Sequence, residues 1–494
     1  MGTRRYEGEP PIHTRIVKEG PKSKRRKVVQ RKVQYSREKG YQVTLEEVTI
    51  GYLPPFCDDL EQMERVENPR PGRPRKTPAE SPRTVEDMKK ILDVSDDRDQ
   101  SRVVYRLEIV YFVILMAAGS GMGSCVEVAQ FWSAHKSELS KIFPDLPDEA
   151  ISHDLVRNFY IILGKIKDNS LLMSLNAMLL HEEGILREVE AIDDPQAREV
   201  FLKDILAVDG QAARGTRKHP GSKHAKYILN VFNCSKELVL AQVLVGDKTN
   251  EIPHGREVVN QLDITGSIVT ADALHANPGF VQAVLDGGAD YCIGLKTNQK
   301  NSEESVKMLF NSTKWSQMAV AYEQLNNEHG RQEQRTIRVL PGSLVDVDVL
   351  EKWPGLEEGC VVEIVSKILE KANDKKHDDI RYFISSLKFN KEYIAKQMLH
   401  IVRSHWAIEN KLHWSLDVDY DQDKTHCKNA EYLKGRTLMN KIVYNITTVA
   451  QKVYENENSK EISRKSMRTW FTSAAQTSLL LSKVSNIKNV NLIG

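Results

Sequence analysis

From Ile205 onward the chain runs in short apolar stretches closed by turn residues, and the order of these stretches restricts the fold more than any other feature. Ile205-Leu-Ala-Val208 leads into Asp209-Gly210. Residues 227–232 and 238–245 are short, mainly apolar strand-like runs joined by Asn233-Cys-Ser-Lys-Glu237, the pattern of a hairpin. Helical spacing around residues 256–262 then precedes Ser267-Ile-Val-Thr-Ala271 and Asp272, and a second helical stretch at 279–285 precedes Tyr291-Cys-Ile-Gly-Leu295. Three strands, a helix, a strand, a helix and a strand make a mixed α/β sheet, because the hairpin pairs antiparallel and strands returning through helices pair in parallel. A helical bundle and a barrel are both excluded.

The flanks of this core have other textures. At roughly 150 residues per domain, 494 residues suggest about three structural units. Residues 100–198 carry apolar side chains at three- and four-residue spacing and predict a helical domain, either DNA-binding or purely a scaffold. Residues 199–299 form the first part of the core. Residues 300–388 carry strand-like stretches at 336–340, 361–368 and 380–386 and read as a β-rich insertion. Helical spacing returns in residues 389–455, over 390–414 and again over 430–454, and residues 456–494 are a tail. The longest apolar run, 109–123, is broken by glycine and too short to span a bilayer, so no membrane association is expected. No signal-like stretch opens the chain and the six cysteines are scattered, so an intracellular protein with reduced thiols is expected.

Charge is unevenly placed. Residues 1–40 hold 13 basic and 4 acidic side chains, a net +9, so the remaining residues carry −7 against +2 for the whole chain. A concentrated basic block is drawn to polyanions through counterion release, which makes nucleic acid the leading partner. Residues 1–99 read as a mostly disordered basic arm with one short strand at 43–52. Within the arm, Lys22, Lys24, Arg25, Arg26 and Lys27 form a phosphate-binding or nuclear-import patch. Arg70-Pro-Gly-Arg-Pro-Arg-Lys76 resembles an AT-hook, whose Arg73 and Arg75 would enter the minor groove of A·T-rich DNA; a plain solvated linker is the alternative.

Asp209 and Asp272 each follow directly on a buried-looking strand, so both are expected to project from strand ends where a mixed sheet opens its ligand crevice. An ordinary turn at Asp209-Gly210 and a helix cap at Asp272 are the bland alternatives. In the helix at 390–414, Ile394, Met398, Ile401, Val402, His405 and Leu412 mark an apolar stripe, and Glu409 falls inside it. A carboxylate facing a core is costly unless a cation neutralises it. Two aspartates and a glutamate are the hard oxygen ligands that suit Mg²⁺, with Mn²⁺ as a substitute. Two such ions about 3.5–4 Å apart support phosphoryl transfer without a nucleophilic side chain.

These residues sit in a run of motifs. Ala207-Val-Asp-Gly210 with Arg214-Gly215, Asp247-Lys-Thr-Asn-Glu-Ile252, Ile268-Val-Thr-Ala-Asp-Ala273, Gly294-Leu-Lys-Thr-Asn-Gln299, His329-Gly-Arg331 and His405-Trp-Ala-Ile-Glu-Asn410 with Leu412-His-Trp414 resemble DDE transposases, and among them the H-repeat-associated, ISAs-one type of bacterial insertion sequence. The resemblance spans roughly residues 100–450. It implies a ribonuclease-H-like core with a β insertion before the last acidic helix, and a metal-binding catalytic triad of Asp209, Asp272 and Glu409. It also implies metal-dependent cleavage and joining of DNA at transposon ends and target DNA, by a homodimer on DNA. Gln211 departs from the lysine usual after Asp-Gly, and His405 stands where related transposases carry arginine. The long basic arm is also unusual for the group. A domesticated, transposase-derived DNA-binding protein without strand transfer is therefore the alternative.

The remaining candidates are contacts to DNA. Lys296, Asn298 and Gln299 follow the last core strand, Arg331 and Arg335 lie in the insertion, and Arg214, Asn410, His405 and His413 belong to the motifs above. His405, Glu409 and His413, at four-residue spacing, are also a weak zinc pattern. Trp406 and Trp414 read as core residues rather than base-stacking platforms. Asp417, Asp419, Asp421 and Asp423 alternate in what reads as a solvated turn. The expected location is DNA-associated: the nucleus in a eukaryote, otherwise the cytoplasm or nucleoid.

Overall fold

In a computed structural model, residues 12–18, 26–36, 41–53, 64–65, 103–143, 146–166, 169–178, 203–217, 225–245, 251–327, 331–370, 375–427 and 429–484 are described. The chain divides into a unit over residues 1–80 and a second over 81–494. The first contains an antiparallel sheet, β1 (Ile12–Lys18), β2 (Arg26–Ser36), β3 (Tyr41–Leu53) and β4 (Glu64–Arg65), in that order. One short strand was expected in this arm, and it falls inside β3. The other strands escape a reading based on apolar alternation because Lys and Arg interrupt the Val and Tyr positions of β2. The AT-hook-like segment lies outside the described residues.

Among the described residues, the second unit begins with four helices, α1 (Leu107–Gly119), α2 (Cys125–Ile142), α3 (His153–Gly164) and α4 (Ser170–Met178). The apolar run at 109–123 is mostly α1, whose residues Ile109 to Ala118 are buried, so it is the central helix of a core. No described helix is long and apolar enough to cross a membrane. Helix α2 starts with a capping box, in which Ser124 and Glu127 each satisfy the other's backbone N–H.

A nine-stranded sheet follows. Its strands are β5 (Ile205–Ala213), β6 (Lys226–Asn233), β7 (Leu238–Val245), β8 (Ile268–Ala271), β9 (Asp290–Leu295), β10 (Val320–Asn326), β11 (Arg331–Pro341), β12 (Cys360–Glu370) and β13 (Lys375–Ser385). The order is β10-β11-β12-β13-β9-β8-β5-β6-β7, parallel at β5–β8 and β8–β9 and antiparallel elsewhere. This is the mixed α/β sheet expected from the strand–helix order. The four strands of the insertion continue the core sheet, since β13 pairs with β9.

Helices α5 (Glu251–Asn260) and α6 (Pro278–Asp286) bury Val258, Val259, Phe280 and Val284 against one face. The other face is covered by α7 (Ile394–His405), which buries Ile394, Met398, Ile401 and Val402, and by the long α8 (Ala430–Asn458). Helix α8 joins the helical layer to the sheet. Asn445 accepts the Val239 N–H at 2.9 Å, and Gly435 packs against the backbone of Tyr160 in α3. Gly164 answers it, lying against the carbonyl of Glu431.

Candidate active site

The parallel pairing of β5 with β8 aligns Ile205 with Ile268 and Val208 with Ala271, so the next residues, Asp209 and Asp272, are neighbours across two adjacent strands. Adjacent strands lie about 4.8 Å apart, so the two residues follow neighbouring strands at the same level of the sheet. Side chains alternate across a strand, so Asp209 shares a face with Ile205 and Ala207, and Asp272 follows the same alternation as Ile268 and Thr270. That is the face covered by α7. Asp272 ends β8 as expected and caps the next turn by accepting the Leu274 N–H at 2.9 Å. Asp209 does not end its strand. It sits inside β5, opposite Asn230 of β6, at the point where pairing with β8 stops.

The helix above supplies two histidines. His405 Nδ1 meets the Thr270 hydroxyl at 3.0 Å. Burial pushes its pKa down to about 4, with nearby His275 acting in the same direction and Asp272 opposing. His413 lies with Nδ1 3.7 Å from Asp209 Oδ2, and its Nε2 accepts from the Asn230 amide at 3.1 Å. Burial, and then the charges of Lys441 and His405, push His413 down to about 3. Both rings are therefore neutral at pH 7, and with Asn230 donating to Nε2 the His413 proton sits on Nδ1, toward Asp209.

Glu409 departs from expectation. After α7 the chain makes a π-helical turn, Ile408–His413, and the wider turn brings Ile408 and Leu412 into the core while Glu409 is exposed. Among the described residues no three His, Cys, Asp or Glu side chains are grouped to hold a metal ion. The donor chemistry nonetheless suits a divalent cation in part: Asp209 and Asp272 supply adjacent hard oxygens. Glu409 is on the covering helix, four residues from each anchored histidine.

The position usually held by lysine has been rewired. Gln211 is buried and donates to Asp417 Oδ1 at 2.8 Å and to the His413 carbonyl at 3.3 Å, while accepting from Gln422 at 2.7 Å. With no cation there, burial and then Asp423 push Asp417 up to about 6.

The family model described as the transposase DDE domain matches residues 201–446, which contain both aspartates, Glu409 and most of α8. Residues 201–446 belong to the transposase DDE domain family. The chain is 26% identical to the putative protein YbfL of Escherichia coli strain K12 over 371 residues, covering 73% of this chain and 91% of that protein. It is 25% identical to the H repeat-associated putative transposase YhhI of the same strain, with the same coverage. Among solved structures it is similar to a piggyBac transposase synaptic complex with hairpin DNA, at 14% identity and a TM-score of 0.37, over 80% of this chain and 77% of that one.

Within the DDE domain, the other candidates have varied places. Asn298 donates to the Ala273 carbonyl at 2.5 Å and Gln299 to the Ala276 carbonyl at 2.6 Å, so both fasten the turn that follows Asp272. Lys296 and Asn410 are exposed. Arg214 is exposed and pairs with Asp423 at 3.3 Å. Arg335 pairs with Glu333. The side chains of Lys22, Lys24, Arg25, Arg26, Lys27, Arg73, Arg75 and Arg331, together with His329, lie outside the described residues.

Two readings are corrected. Trp406 and Trp414, taken as core, are 40% and 58% exposed, because each follows the buried stripe by a fraction of a turn. The aspartates at 417–423 are not simply solvated. Asp419 lies 3.5 Å from Arg468, and Asp421 pairs with Lys424 at 2.8 Å. Sequence reasoning did not single out Thr270, Asn230 or the fully buried Lys441, whose ammonium donates to Gln242 Oε1 at 2.7 Å. Their signal was a polar residue inside an otherwise apolar strand or helix.

Proposed function

We propose that the protein is a DNA transposase that cuts and joins DNA strands at the β5–β8 crevice, with Asp209, Asp272 and Glu409 as the catalytic acids. The observation that carries this reading is the register placing Asp209 beside Asp272 in a transposase DDE domain. The three acids would hold two divalent ions, Mg²⁺ or Mn²⁺. When bound, such ions activate water or a DNA 3′-hydroxyl and stabilise the leaving oxygen. The chain's own groups prepare the crevice. Neutral His405, held by Thr270, and neutral His413, held by Asn230, add no positive charge that would compete with a cation at the aspartates. Exposed Trp414 and Lys296 provide stacking and phosphate contacts beside it. Two DNA ends require two protomers, so the working form is a homodimer on DNA.

The test is cleavage and joining of DNA that carries the flanks of the coding region, with Mg²⁺ or Mn²⁺. Wild type should produce joined product. Asp209→Asn, Asp272→Asn and Glu409→Gln should each abolish it while DNA binding stays within about twofold. A second reading, a transposase-derived DNA-binding protein without strand transfer, is favoured by the exposed position of Glu409. It expects binding but no joined product from wild type, and that result would replace the first.

A further inference from the structure

Helix α7 has a second stripe opposite its buried one. Lys396, His400 and Arg403 are exposed on α7 at intervals of four and three residues, and Lys411 is exposed on the π-helical turn beyond it. They line a groove of about 380 Å³ whose far wall is β10, and among its lining residues there is no carboxylate. Arg403 donates to the neutral amide oxygen of Gln324 in β10 at 2.7 Å. Lys411 is held by Glu237 outside the groove.

Further positive charge is packed nearby. Burial lowers the Arg335 pKa, and the neighbouring charges of Arg403 and Arg381 act in the same direction against the pull of Glu333. Arg335 and Arg381 each have a carboxylate, Glu333 and Asp379, whereas Arg403 has none among the described residues. Clustered like charge costs stability through self-repulsion, and an anion bound at Arg403 would relieve it.

The groove is separate from the aspartate pair. Cys234, at its end, donates its N–H to the Ile205 carbonyl at 2.8 Å, which places it at the start of β5, four residues before Asp209. At the rise of a strand this is roughly 13 Å, or about four nucleotides along one DNA strand.

We propose that the α7–β10 groove is a second DNA site, in which Lys396, His400, Arg403 and Lys411 grip backbone phosphates a few nucleotides from the phosphate presented to Asp209 and Asp272. The proposal rests on the reading of the protein as a DNA-processing enzyme and adds to it a grip remote from the reacting centre.

The probe is a short fluorescent DNA duplex, titrated with full-length protein over a range of salt concentrations. Each phosphate contact contributes about 0.9 to the slope of log affinity against log salt. The Lys396→Ala, Arg403→Ala double variant should flatten that slope by about 2. A control pair with the same charge change at exposed positions on two other helices, Lys307→Ala (Lys300–Asn311) with Lys314→Ala (Thr313–Ser316), should leave it near wild type, and Lys396→Arg with Arg403→Lys should restore it. A groove variant that keeps its thermal unfolding transition and the wild-type slope overturns the site while leaving the enzyme reading in place. Wild type with no salt-dependent DNA binding overturns both, and so separates the two failures.

Discussion

His413 stands 3.7 Å from a carboxylate oxygen of Asp209, yet the contact is not an ion pair at neutral pH, because burial keeps the ring uncharged. The folded-state values of His405 and His413, about 4 and about 3, lie below the ordinary 6.5. Their contribution to stability is therefore complete above about pH 6.5 and is lost as pH falls through the folded values. Asp417, raised to about 6, acts in the opposite sense and gains stability as pH falls through that value. The urea midpoint should fall between about pH 6.5 and pH 4. It should fall more steeply in Asp417→Asn and less steeply in His405→Asn with His413→Asn. A midpoint that does not change over this range in wild type would contradict the neutral assignment.

Lys441 supplies an independent pH test. It is fully buried on α8 with Gln242 as acceptor, and burial pushes its pKa down to about 7 from 10.5. Its contribution is complete above about pH 10.5 and declines as pH falls toward 7, so wild type should become more stable as pH rises through that window. Lys441→Met should remove the rise and add on the order of 1–4 kcal/mol at pH 7. Gln242→Leu, which strips the ammonium of its acceptor, should cost on the order of 3 kcal/mol. Equal midpoints for the two variants would show that burial of the charge is not the governing cost.

The crossing of α3 and α8 is set by glycine on both sides. A Cβ on Gly435 would lie 1.9 Å from the Tyr160 carbonyl oxygen, and one on Gly164 would lie 1.7 Å from that of Glu431. Backbone cannot rotate away, so Gly435→Ala should destabilise by on the order of 3 kcal/mol, read as a lower denaturant midpoint at unchanged slope. A change below about 0.5 kcal/mol would mean the helices have room to separate.

Exposed Trp414 should matter for DNA and hardly at all for folding. Trp414→Ala is expected to change stability by less than about 0.5 kcal/mol and to weaken single-stranded DNA binding by about 1–3 kcal/mol, roughly 5- to 150-fold. A large loss of stability with unchanged binding would return Trp414 to the core.

How far the sequence discloses this arrangement depends on which physical signal each part leaves. Asp209 and Asp272 were legible because each breaks an apolar strand at once. Their adjacency follows from the parallel pairing of β8 beside β5. Glu409 was misplaced for a definite reason: a stripe drawn at 3.6 residues per turn passes through it, and the π-helical turn puts Ile408 in that place. Nothing local in Ile408–His413 marks the wider turn. Strand β10 was missed because its residues alternate between half-buried and exposed, with Glu323, Gln324 and Asn326 diluting the apolar signal. The stripe of cations on α7 was visible as spacing, but only the return of β10 across it turns a solvent-facing row into a groove.

The glycine contact between α3 and α8 has a mechanical meaning. Helices separated by leucines or valines can shear by a rotamer hop, whereas here peptide rests on peptide with no such bearing. Through α8, which also accepts the Val239 N–H, that unpadded crossing is continuous with the sheet that carries both aspartates.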